Sequence, residues 1–225
     1  MSITSNVGLL TRRQIMALSG KYFNVTNPTA GTAIAAATIT GFSATANGLF
    51  AIQNKNPANN GATIFVDCMR LIQTATAPTG TLNMRFETFV ESGIVVMTGN
   101  VATRTPVNVN GGFPNTTGAV VQSFSAGQMT VPAAVGSRNL VGIGSIPTGL
   151  TVQHDSFVVE FGADGVVPSR TGLTAARATD PATMVTSMVP FVIPPQQTGW
   201  INMWWVTQAA NVPSFEFSLN YVETN

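Results

Sequence analysis

The sequence predicts an all-β protein, an antiparallel β-sandwich preceded by a short N-terminal helix or arm. Three observations carry that expectation. Apolar and polar residues alternate with period two, most clearly where Phe215, Phe217, Leu219 and Tyr221 interleave with Glu216, Ser218 and Asn220, the pattern of a strand with one dry face and one wet face. Turn chemistry interrupts such segments at short intervals, at Asn59-Asn60-Gly61, Pro78-Thr79-Gly80, Asn110-Gly111-Gly112, Asp164-Gly165 and Pro194-Pro195, where glycine, asparagine and proline supply positive-φ or fixed-φ positions. Helical character is confined to the segment after Thr11 and to residues 173–178. Many short strands joined by such turns pack as two layers around one core.

Taken in order, residues 1–22 read as an arm or short helix and residues 23–225 as a single β-sandwich domain. Thr11 stands at an N-cap, Gln14 at the capping-box position and Gly20 just past the end, framing a helix that would pack Ile15, Met16 and Leu18. Thr11-Arg12-Arg13-Gln14 also resembles the opening of a twin-arginine export signal. The apolar stretch that follows ends at Leu18, short of the roughly 7 to 15 apolar residues such a signal needs, so the helix is the reading retained. Residues 63–72, 94–97 and 201–206 are apolar on both faces and are expected as central or covered strands. Residues 157–161 and 189–193 add two more. Leu82, Met84, Phe86 and Val90 alternate with Asn83, Arg85, Glu87 and Glu91, the signature of a half-buried strand. Residues 99–137, with Pro106, Pro114, Pro132 and several glycines, are expected as long loops or edge strands.

Only 8 % of the 225 residues are charged, against about 25 % in an ordinary soluble domain. Residues 22–54, 105–137 and 181–215 carry no formal charge at all. Their Thr, Asn, Ser, Gln and short apolar residues suit burial against other subunits. The net charge of +1, with Lys21 and Lys55 the only lysines, argues against specific binding of nucleic acid or anionic lipid, which needs clustered cations. No segment is long and apolar enough to span a membrane as a helix. A lone cysteine, Cys68, excludes an intrachain disulfide and reads as a core thiol.

Candidate chemistry is thin. His154-Asp155-Ser156 names the members of a hydrolase triad, but consecutive residues on a strand point to opposite faces and cannot converge. One Cys and one His leave little for zinc, and Asp155, Asp164 and Asp180 have no EF-hand spacing. Glu87 and Glu91 would lie on one face about 13 Å apart at ~3.3 Å per residue, too far for a glycosidase pair, and read as a solvated edge or an interface salt-bridge donor. Gly142-Ile143-Gly144 lacks the third glycine of a dinucleotide fingerprint and reads as strand and turn. No catalytic residue, metal or cofactor is expected.

Two constellations read better as contact surfaces. Residues 155–180 concentrate Asp155, Glu160, Asp164, Arg170, Arg177 and Asp180 in an otherwise nearly uncharged chain, where pairing across a subunit boundary would set register and partner choice; a solvated loop is the alternative. Trp204 and Trp205 must face opposite sides of a strand, so one enters the core. The other lies under a loop, anchors a neighbouring subunit or stacks on a sugar ring. Trp200, Trp204, Trp205, Arg170, Arg177, Asp164, Arg12 and Arg13 are therefore the candidate interface residues.

Val189-Pro190-Phe191-Val192-Ile193-Pro194-Pro195, the run from Trp200 to Thr207, and Pro213-Ser214-Phe215-Glu216-Phe217 together resemble the closing strands of jelly-roll proteins from bacteriophage virions. Lys21-Tyr22-Phe23-Asn24-Val25-Thr26-Asn27-Pro28-Thr29-Ala30-Gly31-Thr32 is similar to openings in the same loose group. The resemblance covers about a third of the chain. It implies a jelly-roll-like fold and a virion component of the capsid, decoration, spike or tail-associated kind, with no catalytic residues to transfer. The expected partners are further copies of the chain, as a trimer or larger, and other virion proteins. A carbohydrate- or host-receptor-binding module is the alternative. The absence of a basic arm beyond Arg12 and Arg13 favours an outer position over one against the genome.

Overall fold

The computed structural model describes residues 11–27, 34–35, 48–74, 84–146, 156–162, 183–205 and 214–224. They form one short helix, α1 (Arg12–Leu18), and the strands β1 (Tyr22–Thr26), β2 (Ile34–Ala35), β3 (Gly48–Asn54), β4 (Thr63–Gln73), β5 (Met84–Glu91), β6 (Thr98–Arg104), β7 (Val107–Asn108), β8 (Ala119–Thr130), β9 (Arg138–Ile146), β10 (Ser156–Phe161), β11 (Thr183–Met188), β12 (Phe191–Ile193), β13 (Thr198–Trp205) and β14 (Ser214–Thr224). The protein is an all-β sandwich.

Among the described residues the first sheet runs β11-β10-β4-β14-β1-β7, with β12 also on β4 and β2 on β14; the second runs β6-β8-β3-β13-β5-β9. Alternation along β14 buries Phe215, Phe217, Leu219 and Tyr221, and the facing layer supplies Phe50, whose ring meets Phe217 edge-on at 4.9 Å between centroids. Phe23 stacks on Tyr221, so the strands at the two ends of the described chain share the core. Each fully buried Phe or Leu contributes about 1.5–3 kcal/mol. Gly199 marks one close approach between the sheets: an added Cβ would lie 2.6 Å from the Ile193 side chain and 2.8 Å from Phe191.

Several expectations need correction. The sheets are antiparallel except for β10 and β11, which pair in parallel; twenty-one residues separate these two strands, enough for the crossover that a parallel pair requires. Residues 94–97 form no strand. Val95 and Met97 are buried, but their amides donate to the Thr198 hydroxyl at 2.8 Å and the Gln122 side chain at 3.0 Å, which takes the segment out of the ladder. The run 189–193 is broken at Val189 and Pro190, since proline has no N–H for the ladder. Within 99–137, β8 is a long inner strand, not an edge. Helix α1 has the expected capping box and Gly20 at φ +70°, yet Ile15 and Leu18 face solvent. Residues 173–178, Pro78-Thr79-Gly80 and Asp164-Gly165 lie outside the described residues.

Candidate functional site

Strand β13 organises the outer face of the second sheet. Gly199 faces Ile193 and Phe191 of the first sheet, as do Ile201 and Met203 by alternation, so Trp200, Asn202 and Trp204 lie on the opposite side of β13. Trp200 is paired with Phe89 and stacks on it at 5.4 Å, while the guanidinium of Arg138 lies over its ring at 4.8 Å. Arg138 in turn donates through Nε and Nη2 to Glu91 Oε2, both at 2.8 Å, and to the Pro132 carbonyl at 2.9 Å. The other Glu91 oxygen accepts the Val135 amide and, at 3.2 Å, the Gly136 amide. Glu91 is thus a fully buried carboxylate saturated within its own chain. The expectation of a solvated edge is wrong because residues 132–138 fold over this end of the sheet. Trp200, only 1 % exposed, is enclosed by the same cover and leaves the candidate interface.

Next along the face, Asn202 lies directly opposite Glu87. Asn202 is 0 % exposed and Glu87 is also buried. Neither amide atom of Asn202 has a hydrogen-bond partner, nor does the indole nitrogen of Trp200. Burial raises the Glu87 carboxyl above its ordinary range, a trend that the neighbouring Trp204 indole opposes. Unpaired buried polar groups of this kind cost about 1–3 kcal/mol each. Trp204 is half-buried at the margin of this cluster, and Trp205 ends β13 with its side chain outside the described residues.

Under α1, on the outer face of the first sheet, lies a cleft of about 250 Å³ lined by Arg12, Met16, Tyr22, Phe65, Asp67 and Pro190, among others. Arg13 crosses its rim to Asp67 at 2.7 Å and Glu160 at 3.3 Å, and the Tyr22 hydroxyl donates to Asp67 at 2.7 Å. Burial, followed by the hydrogen bond to Asp67, pushes the Tyr22 phenol upward. Arg13 and Glu160 are therefore joined inside one chain, while Arg12 is exposed. Cys68, expected in the core, sits half-buried on this outer face and accepts from Asn220 Nδ2 at 3.2 Å. Burial raises its thiol, which keeps it protonated and unreactive. Asp164, Arg170, Arg177 and His154 lie outside the described residues.

Exposed apolar side chains gather at two margins that the sequence reading did not single out. Leu140, Val141 and Ile143 stand on β9, the last strand of the second sheet. Leu18, Val107, Val109 and Phe113 gather around β7, the last strand of the first sheet, where Phe113 sits against Gly20 and the Val109 amide bonds to the Tyr22 carbonyl. Alternation in β9 is masked by glycines at 142 and 144, whose missing side chains make room for Met188 and Val189 of the first sheet.

Among the described residues no three His, Cys, Asp or Glu side chains come together as a metal set, and no helix is long and apolar enough to cross a membrane. Scanned against family models and searched against curated proteins and solved structures, the chain matches none of them.

Proposed function

We propose that this chain is a structural subunit of a bacteriophage virion, a jelly-roll-like sandwich that self-associates and docks onto other capsid or tail proteins. The observation that carries the reading is the pair of exposed apolar margins on a surface almost without charge. Such contacts are weakly screened by salt and titrate little, which suits a particle that meets changing media. The charged groups at Arg13, Asp67, Glu160, Glu91 and Arg138 are engaged within the chain, so they leave neutral contacts to do the associating. The chain also passes repeatedly between the two sheets, as jelly rolls do. Light scattering of the purified protein from low to high salt tests this: a discrete, salt-resistant oligomer is expected, and a monomer at all concentrations overturns it.

One observation favours a second reading, a carbohydrate- or host-receptor-binding module. Trp204 is half-buried on the outer face of β13, and a partly exposed indole offers an apolar face on which a sugar ring can stack. A glycan array separates the two readings, since Trp204→Ala would abolish a glycan signal without altering the oligomeric mass.

A further inference from the structure

Building on the self-association reading, we infer that β9 is the contact strand, pairing antiparallel with β9 of a second copy across a two-fold axis to join two six-stranded sheets into one. The case starts from the backbone. β9 is hydrogen-bonded to β5 on one side and, among the described residues, β11 of the first sheet packs against it without any strand hydrogen-bonding to its other edge, so the outward N–H and C=O groups form a template for a further strand.

Natural edge strands are blunted by lysine, proline, a bulge or brevity. β9 is nine residues long and contains neither lysine nor proline. Its bulge lies at Val141, where the register with β5 shifts, which leaves the segment from Gly142 onward regular. Leu140 is 50 % exposed and Ile143 62 % exposed, and both belong to the outer face. A strand added at this edge would cover them.

Charge selects the occupant. A strand that pairs with its own copy across a two-fold axis brings the same short segment against itself, so any ionised residue near the axis meets its own kind. After Arg138, which is held by Glu91, β9 carries no charge. This segment is therefore free of the self-repulsion that would otherwise exclude a second copy. A charged partner strand would find no complement here. The inner side of β9 is already occupied by Met188 and Val189 at the glycines, so pairing extends the sheet without disturbing the core.

The test compares the wild-type protein with the Leu140→Lys/Ile143→Lys double variant, and with Val96→Lys as an exposed apolar control away from β9, by sedimentation velocity and hydrogen exchange. Both mutated positions are exposed, so the variant should keep the wild-type circular dichroism. The expected result is a twofold or greater fall in mass for the double variant alone, together with faster exchange of amides 142–145. If the double variant keeps the wild-type mass, the β9 contact is overturned while self-association stands. A wild-type protein that is monomeric throughout overturns both. A variant that loses its fold is replaced by Ile143→Thr and Ile143→Glu, judged by the same mass and exchange criteria.

Discussion

Removing the Arg138 side chain would leave Glu91 as a buried carboxylate with two amide donors and no cation. Stranding one partner of a buried pair costs about 3–5 kcal/mol, so Arg138→Ala should lower the free energy of unfolding by that order in urea titration. Some of the loss comes from the uncovered Trp200 ring. Glu87 behaves in the opposite sense. Burial holds its folded-state pKa above the ordinary 4.5, so the native state binds the proton more tightly than the unfolded chain does. The resulting penalty is fully present above the raised value and is relieved as pH falls through it towards 4.5. Glu87→Gln should therefore be more stable than wild type at pH 7. The difference should shrink on acidification, as read by thermal melts of both proteins at each pH.

At the level of elements, the layers approach each other closely at Gly199. A Gly199→Ala methyl has to displace Ile193 or Phe191, and overpacking of this kind costs about 1–3 kcal/mol; urea midpoints of the variant measure it. The same region shows which strands were readable. β14, β4, β10 and β13 follow from alternation or from runs of large apolar residues, which are direct images of one or two buried faces. β3 is buried at all seven positions yet ends in Gln53 and Asn54, which look like the start of a loop. They survive burial because tertiary partners meet them: Gln53 Nε2 reaches the Val95 carbonyl and Gln122 Oε1, both at 3.0 Å, and Asn54 Nδ2 reaches the carbonyls of Ala62 and Ile193, both at 2.9 Å. No local pattern announces such long-range bonds. The same gap explains Glu87 and Glu91, whose alternation was legible while the segment covering them was not. The burial of Trp200 needed Arg138, sixty-two residues away, and no local pattern announces it.

For the whole molecule, salt and pH are the informative variables. Interfaces made from Leu140, Ile143 and their like should hold their mass between low and molar salt, because hydrophobic contact is not weakened by ionic screening. A fall in mass at high salt would indicate that charged residues carry the contact instead. The placement of β14 has a further consequence. It fills the slot between β4 and β1, although it is the last of the described strands in the chain. The first sheet thus cannot close on a growing polypeptide, and its long-range pairings form late. A product cut short before residue 214 would present two raw inner edges in place of one finished sheet, and would aggregate. Synthesis itself thereby separates finished chains from unfinished ones, because only a chain that carries β14 closes its first sheet.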